Sequence, residues 1–283
     1  MTPRSMTYRR TVDRIVQLIS LLAASLGIAV LAWILWEVLR RGVAALNWTF
    51  FTEVYAPPSM GGGGVANAIF GTAIMTLMAS ALAIPLGFLA GVFLSEFGAT
   101  SRLADQIRFS TNIMMGIPSI IIGLFVYTLV VVPMRTFSAY AGAASLAIIM
   151  FPVVARTTED MLKLVPNELR ESALALGAPR WRVTFSIVFR AAKVGLLTGV
   201  LLSVARASGE TAPLLFTALN NQYWSDNLSQ PTANLTVTIF NYAMGPYKPL
   251  QQIAWGASLL IMVGVLFLTV VARLLLAGKG AKQ

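Results

Sequence analysis

The chain has 283 residues, 57% of them hydrophobic and only 11% charged, with a formal net charge of +10. A soluble domain carries about a quarter charged residues, so this composition argues against an ordinary soluble core and for an integral membrane protein. With no Cys and no His, disulfides, thiol nucleophiles, Cys-ligated metals and the commonest general base are excluded.

A spanning helix needs about 20 mostly apolar residues, and hydropathy predicts six such spans. The first covers about Ile15 to Trp36. Arg4, Arg9, Arg10 and Arg14 precede it as in a signal peptide, but its apolar run exceeds the roughly 7–15 residues of a signal h-region, so it reads as a retained anchor. The second covers about Val65 to Leu94, long enough to tilt. The third covers about Asn112 to Val132, where Pro118 within GIPSIIIGLF is a candidate kink. The fourth, Ala141 to Ala155, is short and holds Pro152. The fifth covers about Val194 to Phe216 and the sixth about Ile253 to Leu276. Long runs without alternation at period two predict helices rather than a barrel. The fold class is therefore all-α integral membrane, with six transmembrane helices.

With the N-terminus inside, the inner segments hold sixteen Lys or Arg residues and the outer segments four. That asymmetry places both termini in the cytoplasm. It also accounts for the net charge as a membrane-topology signal, with no nucleic-acid partner. Trp33, Trp36, Trp224 and Trp255 fall near span ends, as interfacial aromatics do. The whole chain, 1–283, reads as a single transmembrane domain. Residues 1–64 form a tail, first span and outer loop; residues 65–276 form the core bundle.

Two outer segments, Asn47 to Gly64 and Asn220 to Leu250, are long and aromatic enough to serve either as connectors or as a docking surface for an external partner. Asn47, Asn227 and Asn234 match the N-x-[ST] glycosylation pattern, which is short enough to arise by chance.

The longest inner loop spans 156–193. Asn167 after Pro166 predicts an N-cap. Gly177 predicts a left-handed helix end, and Pro179 the first turn of the next helix. The loop is thus expected to project a short helix, a turn and a returning helix into the cytoplasm.

Inside the fifth span, SVARASGETAPLLF carries Arg206 and Glu210 one helical turn apart. Arg206 is about twelve residues into that span, roughly 18 Å at 1.5 Å per residue, which predicts a position near mid-membrane. A charge there costs about 2.5–3.5 kcal/mol on insertion scales, whereas a solvated i,i+4 ion pair returns only about 0.3–0.5 kcal/mol. The pair is therefore expected to face the bundle interior or a wet cavity. Gly209 weakens the helix, and Pro213 removes a donor, so a helix break is expected between them. Broken helix at mid-membrane is where transporters place ligands. A pair that only glues helices together is the alternative.

The inner-loop stretch ESALALGAPRWRVTFSIVF resembles the cytoplasmic loop of ABC-importer permeases. Glu171, Ala173, Gly177 and Ile187 stand at that family's Glu, second Ala, Gly and Ile positions. Ser172, Phe189 and Arg190 depart from its first Ala, Leu and Pro. The resemblance extends through PPSMGGGGVANAIFGT, VVARTTEDMLKLVPNELRESA and ARASGETAPLLFTAL, which are similar to the phosphate-importer members of the family.

This resemblance implies a type I ABC importer permease fold in a bacterial-type inner (plasma) membrane. It also implies partners: a homologous second permease, an ATPase dimer docked on the cytoplasmic loop, and an extracytoplasmic phosphate-binding protein. Glu171, Ala173, Gly177, Arg180 and Arg182 would couple the chain to that ATPase, and Arg206, Glu210 and Arg156 would line the substrate path. For Arg156, a charge at the inner membrane edge is an equal alternative. No G-x-x-x-x-G-K-[ST] phosphate loop is present, so no cofactor is expected on this chain, and ATP with Mg would belong to the ATPase. The chain is accordingly expected not to be an enzyme. Competing readings are an importer permease for sulfate, molybdate or phosphonate, or a secondary transporter.

Overall fold

The computed structural model describes residues 6–98 and 101–280. Arg4 and Lys282, counted among the inner charges, lie outside the described residues. The regular structure of the described residues is helical, with one isolated antiparallel bridge, Tyr55 to Gly63. Helix α1 is Met6–Gly42, α2 is Trp48–Thr52, α3 is Ala66–Phe97, and α4 is Arg102–Gly116. Helix α5 is Ser119–Met134, α6 is Ala139–Lys163, α7 is Asn167–Ala175, and α8 is Arg180–Ser208. Helix α9 is Ala212–Thr217, α10 is Leu235–Met244, and α11 is Lys248–Gly280.

Among the described residues, five helices are long and apolar enough to cross a membrane, and α4–α5 make a sixth span if the pair, bent by 103°, counts as one. Six spans were expected, but three differ in form. The third is not one helix: Ile117 and Pro118 are extended, and the chain restarts at Ser119. The residue before a proline avoids the helical region, so the kink becomes a complete break. The fourth does not stop near Ala155 but continues as α6 to Lys163, with Pro152 accommodated inside. The fifth does not run through to Phe216. It begins at Arg180, ends at Ser208 and resumes as the separate α9.

Helix α6 is the centre of the bundle. In the most apolar window of α6, 61% of residues are buried, against 0% for α1. Helix α3 packs along α6 through small residues, which is how membrane helices approach closely. A Cβ on Gly91 would lie 2.5 Å from the Ala155 carbonyl, and one on Gly87 would lie 2.9 Å from that of Phe151. Met75, Ala79 and Ala83 of α3 bury against Leu146 and Met150 of α6, with Ala207 and Leu214 closing the cluster from α8 and α9. Helix α1 leaves its apolar surface exposed. It meets α11 at its end, where Gly42 abuts Leu259 and Arg41 stacks 5.0 Å over the Trp255 ring.

Both outer segments are structured. Asn47 caps α2 by accepting from the Phe50 N–H at 2.8 Å, and buried Asn234 caps α10 by accepting from the Val237 N–H at 2.8 Å. Capping gives two of the three N-x-[ST] matches a local structural role. The stretch between α9 and α10 lies against α3: Asn67 donates to the Asn221 carbonyl at 2.9 Å, and the Leu235 N–H donates to Thr72 Oγ1 at 2.8 Å.

Candidate functional site

Arg206 sits in the last turn of α8 rather than within an unbroken helix. The Gly209 and Glu210 N–H groups donate to the Arg206 and Ala207 carbonyls at 3.1 and 3.2 Å, closing that helix. Pro213 then occupies the first turn of α9, where its missing N–H is not needed. It starts the new helix instead of disrupting the old one. The break is held from two sides. Thr236 Oγ1 of α10 donates to the Glu210 carbonyl at 2.7 Å. On the other side Gly123 of α5 lies so close that a Cβ there would be 2.5 Å from Pro213 Cα.

The two breaks face one another across a cavity of about 200 Å³, several times the roughly 30 Å³ of one water in the liquid. Met115, Ile117, Pro118 and Ser119 line it from the α4–α5 break, Ile149 and Val153 from α6, and Arg206 and Glu210 from the α8–α9 break. Glu210 is largely buried, with its side chain 16% exposed, while that of Arg206 is 60% exposed. Arg206 Nε and Glu210 Oε1 are 3.9 Å apart, too far for a hydrogen bond, so the guanidinium keeps donors for another acceptor. The walls are otherwise mostly apolar, with Ser119 the other polar side chain. A larger cavity of about 530 Å³ lies between the Asn47–Gly63 segment and the start of α11, beside Glu53 and Lys248. It has no broken helix around it.

Arg156 does not line the 200 Å³ cavity. It turns instead to Glu159 and Asp160 of its own helix, at 3.3 and 3.4 Å.

Most of the singled-out residues of the loop 156–193 take the geometry their spacing suggests. Ala173 is buried in a cluster with Val183 and Val188 of α8. Gly177 has φ +81°, and the Ala178 N–H reaches back to the Ala173 carbonyl at 3.2 Å, a left-handed helix end. Asn167 does not cap α7; it lies inside the helix, and its Oδ1 accepts from Arg170 at 3.3 Å. Pro179 immediately precedes α8. Glu171, Arg180 and Arg182 are exposed beside exposed Leu176 and Trp181, a surface with both charge and apolar area.

Four residues that the sequence alone did not single out form a buried polar network at the same end of the bundle. Arg170 of α7 donates to Glu96 Oε1 of α3 at 2.8 Å and to the Leu162 carbonyl of α6 at 2.8 Å. Arg108 of α4 donates to Glu159 of α6 at 2.7 Å and to the Leu94 carbonyl of α3 at 2.8 Å. Glu159, with 0% exposure, also accepts from Lys163 at 2.6 Å. The i,i+3 and i,i+4 spacings of Arg156, Glu159 and Lys163 are the parts of this network a sequence displays.

The sequence profile of the family described as "Binding-protein-dependent transport system inner membrane component" matches residues 83–278. This chain belongs to that family. The matched region holds both helix breaks and the loop 156–193. The chain is 47% identical over 276 residues to the phosphate transport system permease protein PstA of Yersinia pestis, covering 98% of this chain and 94% of that protein. It is likewise 47% identical to the protein of that name from Xylella fastidiosa, covering 95% and 93%. Among solved structures, a chain of the inward-facing MetNI methionine ABC transporter superposes with a TM-score of 0.65. That likeness covers 76% of this chain and 95% of the other at 18% identity, and it is one of fold alone. The all-helical architecture is thus that of an ABC-importer permease.

Proposed function

We propose that this chain is the permease subunit of an ATP-driven importer of inorganic phosphate and forms half of the translocation path. The observation that carries the reading is Arg206 in the wall of a cavity where two broken helices meet. The names of its relatives support phosphate as the substrate. A planar guanidinium matches phosphate oxygens in a bidentate contact. The start of α5 at Ser119 adds the partial positive charge of a helix N-terminus beside the same space.

Glu210 repels an anion unless a proton lies between them. Phosphate keeps a proton near neutrality and sulfate does not, so Glu210 accepts a hydrogen bond from phosphate and disfavours sulfate. It also orients Arg206 and limits how tightly the anion is held, since a transport site must release. Arg156 lies at the inner end of the path as a second cation.

The remaining parts follow from an importer of this kind. A homologous permease supplies the other half of the path, and an extracytoplasmic phosphate-binding protein delivers the anion. Both termini lie in the cytoplasm, as the charge asymmetry requires. Two ATPase subunits, holding ATP and Mg, dock on the surface formed by Glu171, Gly177, Arg180 and Arg182. Their closing and opening moves the loop and gives alternating access. This chain carries no catalytic step. Reconstitution with these partners and measurement of ATP-dependent uptake of labelled phosphate and sulfate tests the reading. Phosphate uptake that sulfate does not compete away is expected; preferential sulfate uptake would contradict it.

A further inference from the structure

Arg170 and Arg108 make reciprocal joints. Arg170 extends from the cytoplasmic helix α7 and binds both oxygens of Glu96 at the end of α3, at 2.8 and 3.3 Å. It also donates to the Leu162 and Val165 carbonyls at the end of α6. Arg108 extends from α4, donates to the Leu94 carbonyl of α3 and binds Glu159 of α6. Each arginine therefore donates to carbonyls near the end of one helix while pairing with a carboxylate of the other helix. A cation at a helix C-terminus is also favoured by the macrodipole.

These are not surface ion pairs of small consequence. The Arg170 and Glu96 side chains are 17% and 7% exposed, and Glu159 is fully buried. Glu159 keeps Arg156 and Lys163 if Arg108 is lost, whereas removing Arg170 or Glu96 leaves the other a largely buried charge without its ionic partner. The order of elements gives the joints a direction. Helix α7 is fastened to α3 and α6, these are fastened to α4 through Arg108, and α4 reaches Met115 in the cavity wall two turns later.

We infer that the Arg170–Glu96 pair is the positioning joint through which displacement of the cytoplasmic helix α7 reaches the cavity wall. The inference rests on the reading of this chain as the permease of an ATP-driven importer. It assigns Arg170 and Glu96 no contact with the transported anion. Arg108 and Glu159 pass the displacement from α3 and α6 to α4.

The test uses the assembled importer in an otherwise thiol-free background. Because this chain has no Cys, Met115→Cys introduces a single thiol into it. The readout is the change in its rate of modification by a water-soluble maleimide when ATP is added. With the pair intact, ATP changes that rate. Glu96→Gln and Arg170→Gln are each expected to assemble and hydrolyse ATP but to lose the response, and the double variant loses no more than either single one. Arg170→Lys keeps the charge and gives an intermediate response; together with Glu96→Gln it carries the test if Arg170→Gln does not assemble. A full response in Glu96→Gln would overturn the inference. So would losses that add in the double variant, or an ATP-insensitive rate with the pair intact. Modification requires no phosphate, so failure of phosphate uptake would sink the substrate assignment and leave this result standing.

Discussion

Arg206 and Glu210 stand on opposite sides of a helix end, with Nε and Oε1 3.9 Å apart. The arginine belongs to the last turn of α8, and the glutamate lies in the two-residue gap before Thr211 caps α9. Their separation leaves the pair ion-paired but without a hydrogen bond, and able to share an anion.

Glu210→Gln preserves shape and removes the charge that disfavours sulfate. We expect phosphate preference over sulfate to fall by about tenfold or more, as for one hydrogen bond to a charged group, worth about 1.5–3 kcal/mol. Competition of sulfate against labelled phosphate uptake measures it. Unchanged discrimination with normal uptake would contradict the assigned role.

Gly123→Ala and Gly209→Ala should behave oppositely. A Cβ on Gly123 would meet Pro213 Cα at 2.5 Å, a backbone atom that must shift. Overpacking of this kind costs about 1–3 kcal/mol, so a lower melting temperature and displacement of α9 are expected. A Cβ on Gly209 meets nothing closer than the Arg206 carbonyl at 3.6 Å, and its φ is −95°. That substitution should stay within about 0.5 kcal/mol. Thermal unfolding of the purified complex compares the two.

Gly177→Ala forces a residue with a Cβ into φ +81°, which costs about 1–2 kcal/mol. No other atom crowds the position, so the effect should be confined to the α7–α8 turn. Weaker binding of the ATPase with unchanged integrity of the membrane helices is expected, measured by co-purification and by limited proteolysis of the loop.

The helical class, the helix break beside Arg206 and Glu210 and the left-handed turn at Gly177 were legible because each depends on local composition or spacing. The facing of the two breaks was not. Pro118 signals a kink, but nothing near it in sequence indicates Glu210, nearly a hundred residues away. The far end of α6 was hidden for a different reason. RTTEDMLK reads as a polar loop by hydropathy, yet Glu159 is buried because Arg108, Arg156 and Lys163 surround it. The fifth span misled because Pro213 reads equally as a helix breaker and as a helix starter. Only the closing hydrogen bonds at Gly209 and Glu210 decide which.

In the proposed path, phosphate passes the Arg206 guanidinium. Arg206→Lys keeps the charge and removes the planar fork, so ATP-dependent phosphate uptake by the reconstituted complex tests that passage most directly. Assembled complexes are expected whose uptake falls by about tenfold or more, as for loss of a charge-assisted contact. Uptake by Arg206→Lys equal to that of the unaltered protein would contradict it.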